Sequence, residues 1–191
     1  MARFIVFAIV AAFAFQAAFS KPSEGQLNNL AQSAKNLADE ISQTLGIQKW
    51  DSEQVGKTIK DQSKAVADSL QTIVDKLKAE ATAHQPEVDK VIKNVEEKLA
   101  KTADDLKKSL DPKTQKQIEE TRKKFDEGLK TSAAELEKLV KSVQENKQLQ
   151  EAQASIQKVT KSVLDTFLES IKSAETEIKK AIDDHAKAHK H

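Results

Sequence analysis

Apolar residues recur every three or four positions along most of this chain, and polar or charged residues fill the positions between them. This spacing is the period of an amphipathic α-helix, and no segment shows the alternation of apolar and polar residues that is typical of a strand. The few glycines and prolines fall mostly where one stretch ends and the next begins. The pattern predicts an all-α chain with five long helices, at about residues 24–45, 52–83, 86–109, 112–143 and 149–184.

The residues between these stretches predict how the helices end. Gly46 is expected to close the first helix in a left-handed conformation, and Pro86 suits the first turn of the third helix. We expect the tail, residues 186–191, to fray. The connections at 83–86 and 144–148 are the candidate hinges.

Short connections place consecutive helices antiparallel, which predicts an elongated up-and-down bundle of five long amphipathic helices. Helices of about 22 to 35 residues would be roughly 33 to 52 Å long. A continuous coiled-coil rod is the alternative. The apolar spacing drifts without holding a heptad register, and the prolines divide the chain into shorter pieces, so the bundle is the better interpretation.

The first twenty residues have the pattern of a secretory signal peptide. Arg3 is the only charge among them, an apolar run from Phe4 to Ala18 follows, and small residues stand at the two positions that a signal peptidase reads. A membrane-spanning anchor is the alternative, but the run is short and no second run of about 20 apolar residues follows. We expect residues 1–20 to be a signal peptide, residues 21–191 to form the bundle, and the protein to be secreted.

Composition narrows the class of partner. The chain has 31 basic and 30 acidic residues, and loss of the leader would remove only Arg3, so the remaining charges balance. A balanced charge argues against nucleic acid as a partner, because phosphate binding along a strand needs a basic excess. Arg122 is the only other arginine, and the absence of cysteine excludes disulfides. The fold must therefore be held together by aliphatic packing.

No group of residues typical of an enzyme occurs, and we expect neither enzymatic activity nor a cofactor. The chain lacks a cysteine nucleophile and a glycine-rich phosphate loop. His185 and His189 have the i,i+4 spacing of metal ligands on a helix. They lie in or next to the tail that is expected to fray, so no metal site is predicted.

The apolar stripes are interrupted by polar residues such as Thr58, Gln62 and Ser69, and large aromatic side chains are almost absent. Burying a leucine, isoleucine or valine side chain contributes about 1.5–3 kcal/mol, and a lipid surface removes that side chain from water about as well as another helix does. A permanently closed bundle also explains the stripes. The thin core, however, favours helices whose contacts with one another can be replaced by contacts with lipid. The residues predicted to bind lipid are Leu27, Leu30, Leu37, Ile41, Val55, Ile59, Val66, Leu70, Ile73, Leu77, Val88, Val91, Val95, Leu99, Leu106, Phe125, Leu129, Leu136, Leu139, Val143, Ile156, Val159, Val163, Phe167, Ile171 and Ile178.

Two stretches resemble the insect apolipophorin III family: Ser42 to Gly46 (SQTLG) and Asp75 to Pro112 (DKLKAEATAHQPEVDKVIKNVEEKLAKTADDLKKSLDP). The similarity is firmest over residues 27–112 and looser after about residue 115. It implies a five-helix bundle that circulates in haemolymph and opens at its loops to coat lipoprotein particles when diacylglycerol enlarges their surface. It also implies a link to innate immunity through microbial lipopolysaccharide and glucan, and it carries over no catalytic site.

These features lead to three hypotheses. The first is an exchangeable apolipoprotein for lipid transport, monomeric without lipid, whose partners are phospholipid and diacylglycerol surfaces of lipoprotein particles. The second is an immune protein that recognises microbial lipopolysaccharide or glucan surfaces, although the balanced charge weakens a purely electrostatic role. The third is a stress protectant that is disordered when hydrated. We expect the first.

Overall fold

The computed structural model describes residues 24–47, 53–81, 86–108, 115–145 and 153–188, all of which are helical. The helices are α1 (Glu24–Ile47), α2 (Glu53–Ala81), α3 (Pro86–Lys108), α4 (Gln115–Glu145) and α5 (Gln153–Ala188). The described residues contain no strand, so the all-α prediction is confirmed. The longest helix, α5, has 36 residues and is about 54 Å long, which makes the bundle elongated.

Two predicted helix ends are wrong. Helix α1 continues through Gly46 to Ile47, and no described glycine has a positive φ, so Gly46 is not a left-handed cap. Helix α5 continues to Ala188, so this part of the tail is helical rather than frayed. His185 and Lys187 stand in its last turn, where positive charge favours the negative end of the helix dipole.

Several predictions concern residues outside those that the structure describes. These include the signal peptide at residues 1–20 and His189 in the tail. The candidate hinges also fall largely in connections outside the described residues, 82–85 between α2 and α3 and 146–152 between α4 and α5.

The five helices form a closed ring in which each packs mainly against two neighbours, in the order α1, α5, α2, α3, α4 and back to α1. We call the line of contact between two neighbouring helices a seam. At the α2·α3 seam the Lys78 ammonium lies 3.6 Å from the Glu96 carboxylate, and Lys107 lies 3.4 Å from Asp68. Because the residue numbers rise on one helix as they fall on the other, α2 and α3 are antiparallel.

The same test shows three more antiparallel seams, α3·α4, α1·α4 and α2·α5. At α3·α4 the contacts are Lys98 with Glu135 and Leu106 with Gly128. At α1·α4 they are Lys35 with Glu137 and Leu45 with Arg122. At α2·α5 they are Lys76 with Ser162 and Glu80 with Ser155. An odd number of alternating helices in a ring leaves one parallel seam, and this is α1·α5. The helices therefore alternate in direction along the chain, as predicted, although α1 packs on α4 and α5 rather than on α2.

The alternation divides the bundle into two ends. At the upper end, α2 and α4 end and α3 and α5 begin. At the lower end, α1 and α3 end and α2 and α4 begin. The connections 82–85 and 146–152 therefore join helices at the upper end, and the connections 48–52 and 109–114 join helices at the lower end.

Candidate functional site: the apolar interior of the bundle

The residues that were predicted to bind lipid form the interior of the closed bundle. Leu30, Leu37 and Val159 are partly buried and pack against the core, and Val91 is half-buried. The side chain of Val88 lies outside the described residues. All the others are no more than 3% exposed. In the closed state, therefore, the predicted lipid-binding face of each helix is covered by its neighbours.

The interior also contains residues that were not among those predicted to bind lipid. Ala67 is fully buried and Leu168 is 6% exposed, because the buried sector of each helix is wider than a single stripe. The buried polar residues are Ser63, Thr102, Thr121, Ser132, Glu135, Gln157 and Thr160.

Two of the buried hydroxyl groups donate to a carbonyl of their own helix. The Ser63 hydroxyl donates to the Ile59 carbonyl at 2.7 Å, and the Thr102 hydroxyl donates to the Lys98 carbonyl at 2.8 Å. Such a back-bond within one turn satisfies the hydroxyl without a partner on another helix. A serine or threonine at stripe spacing is therefore compatible with burial, which is the signal that could have identified these positions.

Among the described residues, the most deeply buried charged side chain is that of Glu135 in α4, at the edge of the interior next to α3. The Glu135 side chain is 7% exposed and lies 2.7 Å from Lys138 and 3.3 Å from Lys98. Burial alone would raise the pKa of Glu135, but the hydrogen bonds from Lys138 and Lys98 outweigh it and hold that pKa below its ordinary value. The same contact raises the pKa of Lys138.

This seam also contains a close approach between two helices at a glycine. A Cβ atom added at Gly128 would lie 3.1 Å from Leu106 Cδ2. The absence of a side chain at Gly128 therefore makes room for the Leu106 side chain of α3 against the backbone of α4.

The α1·α4 and α1·α5 seams carry more exposed ionic contacts. Lys35 lies 3.8 Å from Glu137, whose side chain is 30% exposed and which also lies 2.8 Å from Lys141. The hydrogen bond from Lys141 lowers the pKa of Glu137. At the parallel seam, Lys179 donates to Glu40 at 2.9 Å and lowers the pKa of that carboxyl.

The α2·α5 seam relies on hydroxyl groups. The Lys76 ammonium donates to Ser162 Oγ and Thr166 Oγ1, each at 2.9 Å, and the Ser155 hydroxyl donates to Glu80. Each seam is thus apolar inside and polar at its outer edge. In the closed bundle the polar edge of each seam faces water. Separation of a seam would expose the apolar side chains behind that edge.

Among the described residues no three His, Cys, Asp or Glu side chains come together as a metal site. None of the described helices is both long and apolar enough to cross a bilayer. What the geometry offers is a large, covered apolar surface distributed over five helices.

A model of one protein family, described as apolipophorin-III precursor (apoLp-III), matches residues 31–181, from α1 to α5. The chain belongs to the apolipophorin III family. Its members are lipid-binding apolipoproteins without enzymatic activity. Comparison with curated proteins found no match, and comparison with solved structures found none. The family resemblance noted in two stretches of sequence is therefore confirmed, and it extends through α4 and most of α5.

Proposed function

We propose that this member of the apolipophorin III family is a secreted, exchangeable apolipoprotein that transports lipid in haemolymph. It circulates as a lipid-free monomer and binds the phospholipid and diacylglycerol surface of lipoprotein particles. The observation that carries this proposal is the convergence of the apolar faces of all five helices on one interior. Lipid reaches those faces only when helices separate, and it then replaces the neighbours that kept them from water.

The ring order restricts how the bundle opens without unfolding its helices. Suppose that two neighbouring helices move together away from the other three. Two seams then break, and each connection between the two groups acts as a hinge. All these connections must therefore lie at the same end of the bundle. A connection of five residues spans at most about 18 Å, so a connection at the opposite end would prevent wide opening. Only two divisions of this ring satisfy the condition.

In the first division, α3 and α4 swing away from α1, α2 and α5 on the upper connections, 82–85 and 146–152. In the second, α2 and α3 swing away from α1, α4 and α5 on the lower connections, 48–52 and 109–114. The second division breaks the α3·α4 seam, with its buried Glu135 and the close approach of Leu106 to Gly128. The first leaves that seam intact and breaks α2·α3 and α1·α4, whose ion pairs are more exposed. We therefore assign opening to the first division, whose connections overlap the candidate hinges predicted at 83–86 and 144–148.

Incubation with phosphatidylcholine vesicles tests the function. Helicity is expected to be kept or to rise, Trp50 fluorescence to change, and turbidity to fall as small discs form. Intact vesicles with an unchanged Trp50 signal would contradict the proposal. A random-coil circular dichroism spectrum in dilute buffer would instead favour the stress-protectant hypothesis.

Cross-linking tests the direction of opening, and the absence of native cysteine makes engineered pairs unambiguous. A short bismaleimide between Lys35→Cys and Glu137→Cys would hold α1 to α4 and is expected to block vesicle clearing. The same link between Glu80→Cys and Ser155→Cys holds α2 to α5, which stay together in the first division, so clearing should persist. Blocking by the second pair and not by the first would assign opening to the other division.

A matched control uses Glu40→Cys and Lys179→Cys, which lie on helices that stay together in both divisions. The cross-linked control should clear vesicles at the rate of its unlinked form. Recognition of microbial lipopolysaccharide or glucan remains a prediction from the sequence, and acyl chains of a lipopolysaccharide would need the same opened faces.

A further inference from the structure

Arg122 is an unusual charge on the apolar side of α4. Every other basic residue after Arg3 is lysine. Helical spacing places Arg122 on the same side as the residues seven, eleven and eighteen positions later. These are Leu129, Ala133 and Val140, each no more than 1% exposed. A permanent positive charge therefore stands in line with core residues rather than on the solvent face.

The closed bundle gives this charge a backbone partner. The half-buried Arg122 guanidinium donates through Nη1 to the Leu45 carbonyl in the last turn of α1. The last turn of a helix carries the negative end of its dipole. The contact thus gives the guanidinium a hydrogen-bond acceptor across the α1·α4 seam, at the lower end of the bundle.

Opening removes that partner, and this step rests on the proposed function. When α1 separates from α4, the Leu45 carbonyl leaves with α1, and the apolar face of α4 meets lipid. Arginine cannot become neutral by losing its proton. The Oδ2 atom of Asp126, one turn further along α4, accepts from Lys130 at 3.1 Å, and its Oδ1 atom has no hydrogen-bond partner in the closed bundle. Asp126 could thus offer Arg122 one carboxylate oxygen, whereas the guanidinium has five N–H donors, so an anionic partner at the lipid surface would satisfy the donors that Asp126 leaves.

A phospholipid headgroup supplies one. The aliphatic part of an arginine side chain lies along an apolar surface while its charged group reaches the interface. The planar guanidinium fits a phosphate through two parallel hydrogen bonds, which the ammonium of lysine cannot form. We propose that Arg122 exchanges the Leu45 carbonyl of the closed state for the phosphodiester of a phospholipid headgroup in the lipid-bound state.

The test compares two vesicle surfaces, phosphatidylcholine and the phosphate-free lipid digalactosyl diacylglycerol. Arg122→Gln also weakens the closed bundle, but that change affects binding to both surfaces equally and cancels in the ratio of their dissociation constants. We expect Arg122→Gln to lose preference for phosphatidylcholine by roughly three- to tenfold in this ratio. Arg122→Lys should lose part of this preference for phosphatidylcholine, but less than Arg122→Gln loses.

Lys123→Gln is the matched control, because it removes the same charge from the adjacent, exposed position. Its ratio should equal that of the wild type. An unchanged ratio in Arg122→Gln, or an equal loss in Lys123→Gln, would overturn the inference while leaving the proposed function in place. A wild-type chain that binds neither surface would instead refute the proposed function.

Inorganic phosphate distinguishes a headgroup from the free anion. Without lipid, Arg122 is occupied by the Leu45 carbonyl, so added inorganic phosphate should leave the thermal unfolding midpoint unchanged relative to chloride at equal ionic strength. Stabilisation by phosphate that disappears in Arg122→Gln would assign the site to free phosphate and overturn the lipid assignment.

Discussion

Helix α4 packs against α3 on one side and against α1 on the other, and the contacts of the two sides differ in burial. On the α3 side, Glu135 is 7% exposed and contacts two lysines, and Leu106 packs against Gly128. On the α1 side, Glu137 is 30% exposed, its cross-helix partner Lys35 lies 3.8 Å away, and Arg122 is held by a backbone carbonyl.

The difference lies in what each side loses when water or lipid enters. Side-chain packing around Gly128 has no substitute in a disordered lipid surface, because it depends on a fixed close approach. Exposed ion pairs contribute little, and lipid headgroups or water replace them readily. The comparison supports the proposal that α3 and α4 move as a pair and that α1 separates from α4.

The largest expected effect comes from Leu106→Ala, which removes the side chain that fills the space above Gly128. A fully buried leucine replaced by alanine costs about 2–5 kcal/mol of unfolding free energy. Urea unfolding followed by circular dichroism at 222 nm measures it. A loss below about 1 kcal/mol would show that the α3·α4 seam is not tightly packed and would remove the contrast between the two sides.

A double-mutant cycle ties that loss to Gly128. Alanine at Gly128 places a methyl carbon 3.1 Å from Leu106 Cδ2, so it crowds Leu106 but fills part of the space left in Leu106→Ala. We expect Leu106→Ala to cost less in the Gly128→Ala background than in the wild type. Additive effects would mean that the two residues do not share one space.

A smaller effect is expected from Glu135→Gln, which keeps the shape and removes the charge. At neutral pH the loss should be about 1 kcal/mol, since Lys98 and Lys138 are themselves largely exposed and return to water. Urea unfolding midpoints across a pH series measure the change. Glu169→Gln, on the exposed face of α5, is the control.

The pH dependence follows from the direction of the shift. Because the pKa of Glu135 is lower in the folded chain than its ordinary 4.5, the ionised group stabilises the fold above that pH. This contribution is lost as the pH falls from about 4.5 through the folded pKa. Glu135→Gln should therefore show a flatter decline in stability over that acid range than the wild type, and an equally steep decline would contradict the assignment.

The sequence predicted the interior well because each helix encodes its own buried face. A period of 3.6 residues places Leu27, Leu70 and Phe167 toward the core whatever their neighbours are, and each is fully buried. Contacts within one helix were predictable for the same reason. A glutamate and a lysine three positions apart lie on the same side of a helix, and Glu135 and Lys138 lie 2.7 Å apart.

The order of helices around the ring could not be predicted from the sequence, because five similar apolar stripes do not specify which helices pack against each other. The four-residue spacing of Glu97 and Lys101 favours an ion pair within α3, but the neighbouring Glu96 pairs with Lys78 of α2. Gly128 and Thr121 interrupt the apolar stripe of α4, yet both are buried. A gap in a stripe has no meaning until the side chain of the neighbouring helix is known.

The smallest expected effect concerns the opening side itself. Lys35→Gln and Glu137→Gln should each change the free energy of unfolding by less than about 0.5 kcal/mol, because both groups are accessible to water and screened by salt. Glu137 also pairs with Lys141, so a double-mutant cycle is needed to isolate the cross-helix part. Urea unfolding at low and high salt should give a coupling energy for Lys35 and Glu137 smaller than that for Lys98 and Glu135, and smaller still at high salt. If the exposed pair couples as strongly as the buried one, ion pairing does not distinguish the two sides of α4, and the choice of hinge must rest on the packing of Leu106 against Gly128 alone.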